Sequence, residues 1–207
     1  MSSEHVKISP LSLAGIVLIE LRVHTDQRGF FVERYNETRF EHYGLPRFCQ
    51  DNHSRSVPGT LRGLHYQARP AQGKLVGVIR GAIWDVVVDI RPASPTYGRH
   101  LATELNDRDG CLLWIPGGFA HGFCVVGSQP ADVIYKVDVP YEPTTEGGIV
   151  WSDPDLAIPW PVSQPTVSDK DRNLPSFSAY RQDPPPWSGA RGFTSVSIPA
   201  IGHQSST

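Results

Sequence analysis

The chain has 207 residues, a net charge of −2, 19 glycines and 19 prolines. That length suffices for one domain with a real core and a tail besides. Near-neutrality excludes the global field that draws a protein to nucleic acid, so an anionic ligand must be met by a local cluster of cations.

The glycine and proline content argues for many short strands joined by tight turns. The early run "LSLAGIVLIEL" has the apolarity of a signal peptide. Only Lys7 precedes it as a firm positive charge, and Glu20 and Arg22 interrupt it, so an early strand is expected. No apolar stretch is long enough to span a membrane.

In chain order, "IVLIELRV" (16–23) and "FFVERY" (30–35) predict strands around a turn at "DQRG". "NETRFEHYG" predicts a short helix, with Asn36 as its cap, Phe40 and Tyr43 three apart, and Gly44 as its stop. From Phe48, strand candidates follow one another: "FCQDNHSR", "TLRGLHYQ", "KLVGVIRG", "IWDVVVDI", "HLATEL", "CLLWIP", "HGFCVV" and "DVIYKVDV". Turn chemistry such as "VPG", "NDRDG" and "PGG" separates them. Short strands spaced this way predict an all-β sandwich or barrel. In "IWDVVVDI", Trp84, Val86, Val88 and Ile90 share one face, and Asp85, Val87 and Asp89 the other. The two carboxylates face either solvent or a polar, occupied interior.

Beyond "YEPTTEGGIVWSDPDLAIPWP" the pattern loosens, and "SDKDRNLPSF" is expected to start a short helix. From Arg181 no periodicity is sustained. The division expected is a domain over 1–180 and a Pro/Gly/Ser-rich tail over 181–207, lying on the surface or on a partner subunit. There is no internal repeat. Cys49, Cys111 and Cys124 are odd in number and lack metal or redox spacing, so buried thiols in a reducing cytoplasm are expected.

Two stretches carry the chemistry. In "GTLRGLHYQ", strict alternation would put Arg62 and His65 on opposite faces; both point inward only if the strand kinks at Gly63. In "IPGGFAHGF", Pro116, Gly118 and His121 form the P-x-G-x-x-H spacing that projects a histidine into cupin barrels. A metal-binding cupin usually adds an H-x-H pair. Here His65 is followed by Tyr66 and Gln67, so no metal site and no cofactor are expected.

The ordered set "DQRGFFVERY", "QDNHSRSVPGTLRGLHYQ", "QGKLVGVIRGAIWDVVVDIRPASPTYG", "LLWIPGGFAHGF", "DVIYKVDVPYEPTTEGGIVWSDP" and "SDKD" resembles the dTDP-4-dehydrorhamnose 3,5-epimerases. These are metal-free cupin enzymes of nucleotide-sugar metabolism. The resemblance spans roughly residues 8 to 180. It implies a jelly-roll cupin and a homodimer, taking a small-molecule dTDP-sugar and neither nucleic acid nor membrane as partner. It also implies that His65 is the base, Asp171 its orienting carboxylate, Lys74 the cation facing the C4 oxyanion, and Tyr135 the acid on the far face. Asp171 has a second reading, because Ser168-x-x-Asp171 is a capping-box spacing. Substrate contacts are implied for Arg28, Glu33, Gln50, Asn52, Arg62, His121, Glu146 and Lys170. Tyr141 matches an aromatic that stacks on thymine, although Pro140 stands where an aromatic pair can occur. Whether both C3 and C5 are inverted, or only one, stays open at this level.

Overall fold

The structure, a computed structural model, describes residues 6–189. Its strands are β1 (Val6–Pro10), β2 (Val17–Leu21), β3 (Val23–Asp26), β4 (Gly29–Val32), β5 (Gln50–Ser56), β6 (Leu61–Gln67), β7 (Lys74–Arg80), β8 (Ala82–Asp89), β9 (His100–Asn106), β10 (Cys111–Ile115), β11 (Phe119–Val126), β12 (Ala131–Val137) and β13 (Glu146–Gly148). The helices are α1 (Glu37–His42), α2 (Asp169–Arg172) and α3 (Phe177–Gln182), with a 3-10 turn at Pro143–Thr145. A six-stranded sheet runs β1-β2-β10-β7-β12-β5, and a five-stranded sheet runs β13-β6-β11-β8-β9. β3 and β4 form a separate hairpin. All these pairings are antiparallel, and the two large sheets pack face to face as a jelly roll.

Between the sheets lies a core of Val76, Leu113 and Val133 from one side and Ile83, Val87 and Phe123 from the other. β8 is buried on both faces. Its outer residues Val86 and Val88, with Ile90 just beyond it, pack under Leu156, Phe177 and Tyr180 from the C-terminal segment. Asp85 and Asp89 therefore face the interior, and both are 0% exposed. Asp89 gathers Arg91, Ser94 and Thr96 and so fixes the turn before β9. Asp85 turns to the site described below.

The sequence places most of these elements, with corrections at the edges. The strand expected over 16–23 breaks at Arg22 into β2 and β3, and the one expected over 30–35 is the shorter β4. Asn36 caps α1, its side chain accepting from the Arg39 N–H at 3.1 Å. β1 and β13 are missed, since a five-residue strand ending in Pro10 and the three residues "EGG" carry little alternation. The helix expected at "SDKDRNLPSF" is two short helices, capped by Ser168 and Ser176. Of the thiols expected to be buried, only Cys124 is; Cys49 is exposed because it precedes β5 at the sheet's edge. α3 runs across residue 180. The chain beyond it returns to the sheet, where Trp187 packs on Tyr66 and Ser188 exchanges backbone hydrogen bonds with Ala68 and Ala71. The rest of the expected tail, 190–207, lies outside the described residues.

Candidate active site

A cavity of about 630 Å³ opens between the two sheets. That volume suits a nucleotide-sugar-sized ligand. The five-stranded sheet contributes Arg62, His65 and His121, and the six-stranded sheet contributes Gln50, Asn52, Lys74 and Tyr135. Tyr141, Glu146, Lys170 and Asp171 close its rim. Gln72 is a lining residue that the sequence reading did not single out; it sits in a loop without periodicity to mark it.

Arg62 and His65 do share the cavity, and Gly63 is the reason. Opposite β11, His65 pairs with His121 and Arg62 with Phe123, so two residues of β6 oppose one of β11, a bulge. Gly63 takes φ +122°, a region side chains rarely adopt. A Cβ there would stand 2.5 Å from the Gly122 Cα and 2.8 Å from the His121 carbonyl oxygen.

The same bulge presents the Gly63 N–H to Asp171 Oδ2 at 3.0 Å, while Asp171 Oδ1 accepts from His65 Nε2 at 2.7 Å. Burial alone would raise the Asp171 carboxyl; the bonds from His65 and Gly63 outweigh it and hold the group below its ordinary range. Both readings of Asp171 are met by different atoms. Its backbone N–H donates to the Ser168 hydroxyl at 3.1 Å, capping α2, while its side chain reaches the imidazole.

A second carboxylate–imidazole contact lies alongside. His121, directly across from His65, has its Nε2 2.8 Å from Asp85 Oδ2. The alternation in "IWDVVVDI" left the direction of Asp85 open, and only the packing of the two sheets decides it. Across the cavity, burial raises the Tyr135 phenol, with Glu146 adding to it, so the ring keeps its proton. Burial pulls the Lys74 ammonium down to about 8, against the opposing carboxylates Asp138 and Glu146.

At the rim, Glu146 accepts from Lys170 at 2.5 Å and from the Tyr141 hydroxyl at 2.8 Å. Burial would raise the Glu146 carboxyl, but these two donors more than offset it. Arg62 is steadied by the Ser56 hydroxyl at 2.9 Å. Arg62, Lys74 and Lys170 thus line one cavity, with Arg62 and Lys170 at its exposed edge.

Two expected contacts do not converge. Arg28 sits on the β3–β4 hairpin, paired with Asp26 and far out in solvent, and Glu33 pairs with Arg39. Neither lines the cavity of its own chain. The hairpin also exposes Phe30 and Phe31, at 65% and 69%. Among the described residues no group of three or more His, Cys, Asp and Glu side chains is placed to hold a metal ion.

An antiparallel jelly roll with an acid–base cavity between its sheets defines a cupin equipped for proton transfer. A family model described as dTDP-4-dehydrorhamnose 3,5-epimerase matches residues 10–179, and the chain belongs to that family. It is 47% identical over 176 residues to the dTDP-4-dehydrorhamnose 3,5-epimerase of Pseudomonas aeruginosa, covering 84% of this chain and 97% of that one. It is 40% identical over 171 residues to a dTDP-4-dehydrorhamnose 3-epimerase of Streptomyces niveus, covering 81% and 82%. Among solved structures it resembles the dTDP-6-deoxy-D-glucose-3,5-epimerase of Legionella pneumophila in complex with dTDP-4-keto-L-rhamnose. The TM-score is 0.84 at 42% identity, over 88% of this chain and 98% of that one.

Proposed function

We propose that this protein epimerises C3 and C5 of dTDP-4-dehydro-6-deoxy-D-glucose, giving dTDP-4-dehydro-L-rhamnose. The observation that carries the reading is the placement of His65 and Tyr135 on facing sheets across one cavity, with Lys74 beside Tyr135's strand. The C4 ketone acidifies the hydrogens on C3 and C5. Because His65 Nε2 is tied to Asp171, the lone pair of the neutral ring is on Nδ1, which removes the proton. Asp171 stabilises the imidazolium that results. The Lys74 ammonium meets the enolate oxygen, and its burial strengthens that contact. Tyr135, kept protonated, delivers a proton from the opposite face, and inversion follows.

Arg62 and Lys170 take the diphosphate, Tyr141 the thymine, and Gln50, Asn52, His121 and Glu146 the remaining polar edges of the ligand. The working unit is a homodimer in which the partner's hairpin covers the mouth of the cavity. This accounts for Arg28, Glu33 and the two exposed phenylalanines lying away from their own site. One catalytic domain spans the expected 1–180 and continues through α3 to the return of Trp187 and Ser188 onto the sheet. The exposed, unpaired Cys49 supports a reducing cytoplasm as its place.

The test is NMR of the dTDP-4-keto sugar with the protein in deuterated water. Deuterium enters C3 and C5 with inversion at both. A second reading, inversion at one centre only, is favoured by the likeness to the Streptomyces niveus 3-epimerase. It would replace the first if C5 kept its hydrogen while C3 inverted.

A further inference from the structure

Tyr141 stands in the Val139–Glu142 segment between β12 and the 3-10 turn, outside any strand or helix. Its ring is 50% exposed at the cavity rim, so packing does little to hold it. Yet the backbone around it is anchored group by group by glutamine side chains. The Val139 carbonyl accepts from Gln72 Nε2 at 3.1 Å. The Pro140 carbonyl accepts from Gln67 Nε2 at 3.2 Å, and the Glu142 N–H donates to Gln67 Oε1 at 2.8 Å. The Tyr141 N–H donates to Gln50 Oε1 at 3.1 Å, and the hydroxyl at the far end of the ring donates to Glu146.

Gln67 and Gln72 are themselves 3% and 8% exposed. Hydrogen bonds from a buried amide add only modest net stability when made, but the backbone groups they pair would be left unsatisfied without them. What these two amides do achieve is rigidity in an otherwise irregular segment. A ring ordered before the ligand arrives removes an entropy cost from the binding step.

We infer that Gln67 and Gln72 are positioning residues for nucleotide recognition: they pre-set the Val139–Glu142 segment so that the Tyr141 ring meets the planar base of a nucleoside diphosphate. The inference rests on the reading of Tyr141 as the base contact. It concerns affinity for the base and leaves the proton-transfer groups untouched.

The experiment uses calorimetry with dTDP and with inorganic pyrophosphate, on the parent protein, Gln67→Met, Tyr141→Ala and the double variant. Gln67→Met should weaken dTDP about tenfold while pyrophosphate stays within about twofold, and turnover at saturating substrate should hold. Tyr141→Ala should show the same selective loss, and adding Gln67→Met to it should cost nothing further, since both act through one contact. If Tyr141→Ala weakens dTDP and Gln67→Met does not, the inference is overturned while the base contact stands. An unchanged dTDP affinity in Tyr141→Ala would overturn the base contact itself. Equal loss of dTDP and pyrophosphate in Gln67→Met would mean general loosening, and would also overturn the inference. Should Gln67→Met fail to fold, Gln72→Met removes the Val139 anchor and takes its place in the dTDP and pyrophosphate measurements alone, with the same outcomes, since Gln72 also lines the cavity.

Discussion

Lys74 is held in the fold against its own solvation. Its ammonium falls from the ordinary 10.5 to about 8 through burial, with Asp138 and Glu146 recovering only part. At about 1.4 kcal/mol for each tenfold change in acidity, that difference amounts to roughly 3–4 kcal/mol, or about 2–3 kcal/mol borne by the native state once the side chain's partial exposure is allowed for. Below pH 8 the amine is charged in both the native and the unfolded chain, and the whole penalty applies. Between about 8 and 10.5 the unfolded chain holds more protons than the native one, so the parent's stability rises with pH on this account. Lys74→Met deletes the charge and keeps most of the volume. It should gain about 2–3 kcal/mol at pH 7, with the gain narrowing toward pH 10. Turnover should fall by at least ~10²-fold, because the enolate loses its cation. Urea unfolding at pH 7 and pH 10, at one fixed protein concentration, reads the first effect, and a coupled rate assay the second. In the parent, kcat/KM should decline as pH passes about 8, where free Lys74 loses its proton. A Lys74→Met protein less stable than the parent at pH 7, or a gap that does not narrow with pH, would refute the burial argument.

Tyr135→Phe keeps the ring and removes the acid, so in deuterated water it should exchange C3 or C5 hydrogen faster than it inverts either centre, whereas His65→Asn should lose both; equal exchange and inversion in Tyr135→Phe would point to another acid. Asp171→Asn should cut turnover by about 10³–10⁴-fold while melting close to the parent, since the backbone N–H that bonds Ser168 is untouched; near-parent turnover with a lowered melting point would leave Asp171 only a structural role. Gly63→Ala should destabilise by about 2–6 kcal/mol in chemical unfolding, from the strained φ and the clash with backbone on β11 together. Arg28→Ala and His65→Asn, each nearly inactive, should regain about a quarter of the parent's sites when co-refolded, since statistical mixing gives each mixed dimer one intact site; no recovery would mean that the hairpin does not serve the partner's cavity.

Much of this protein is legible in its sequence. Alternation and Gly/Pro punctuation locate the strands from β5 to β12, because a two-residue side-chain period and turn chemistry are local properties. Asn36 and Ser168 announce their helices for the same reason, since a cap needs only a residue three positions on. The kink at Gly63 follows from requiring Arg62 and His65 on one side of β6. Ordered motifs then name the family. Alternation says that two residues share a face, but not what lies opposite that face. The strand order β1-β2-β10-β7-β12-β5, the pairing of His65 with a carboxylate 106 residues away, and the inward course of Asp85 all depend on which sheet packs on which. So does the anchoring of Tyr141 by Gln67 and Gln72, since a buried amide is read only from the backbone groups that reach it. Arg28 and Glu33 carry the motif yet stand outside their own cavity, because motif order runs along the chain and a site is assembled across it.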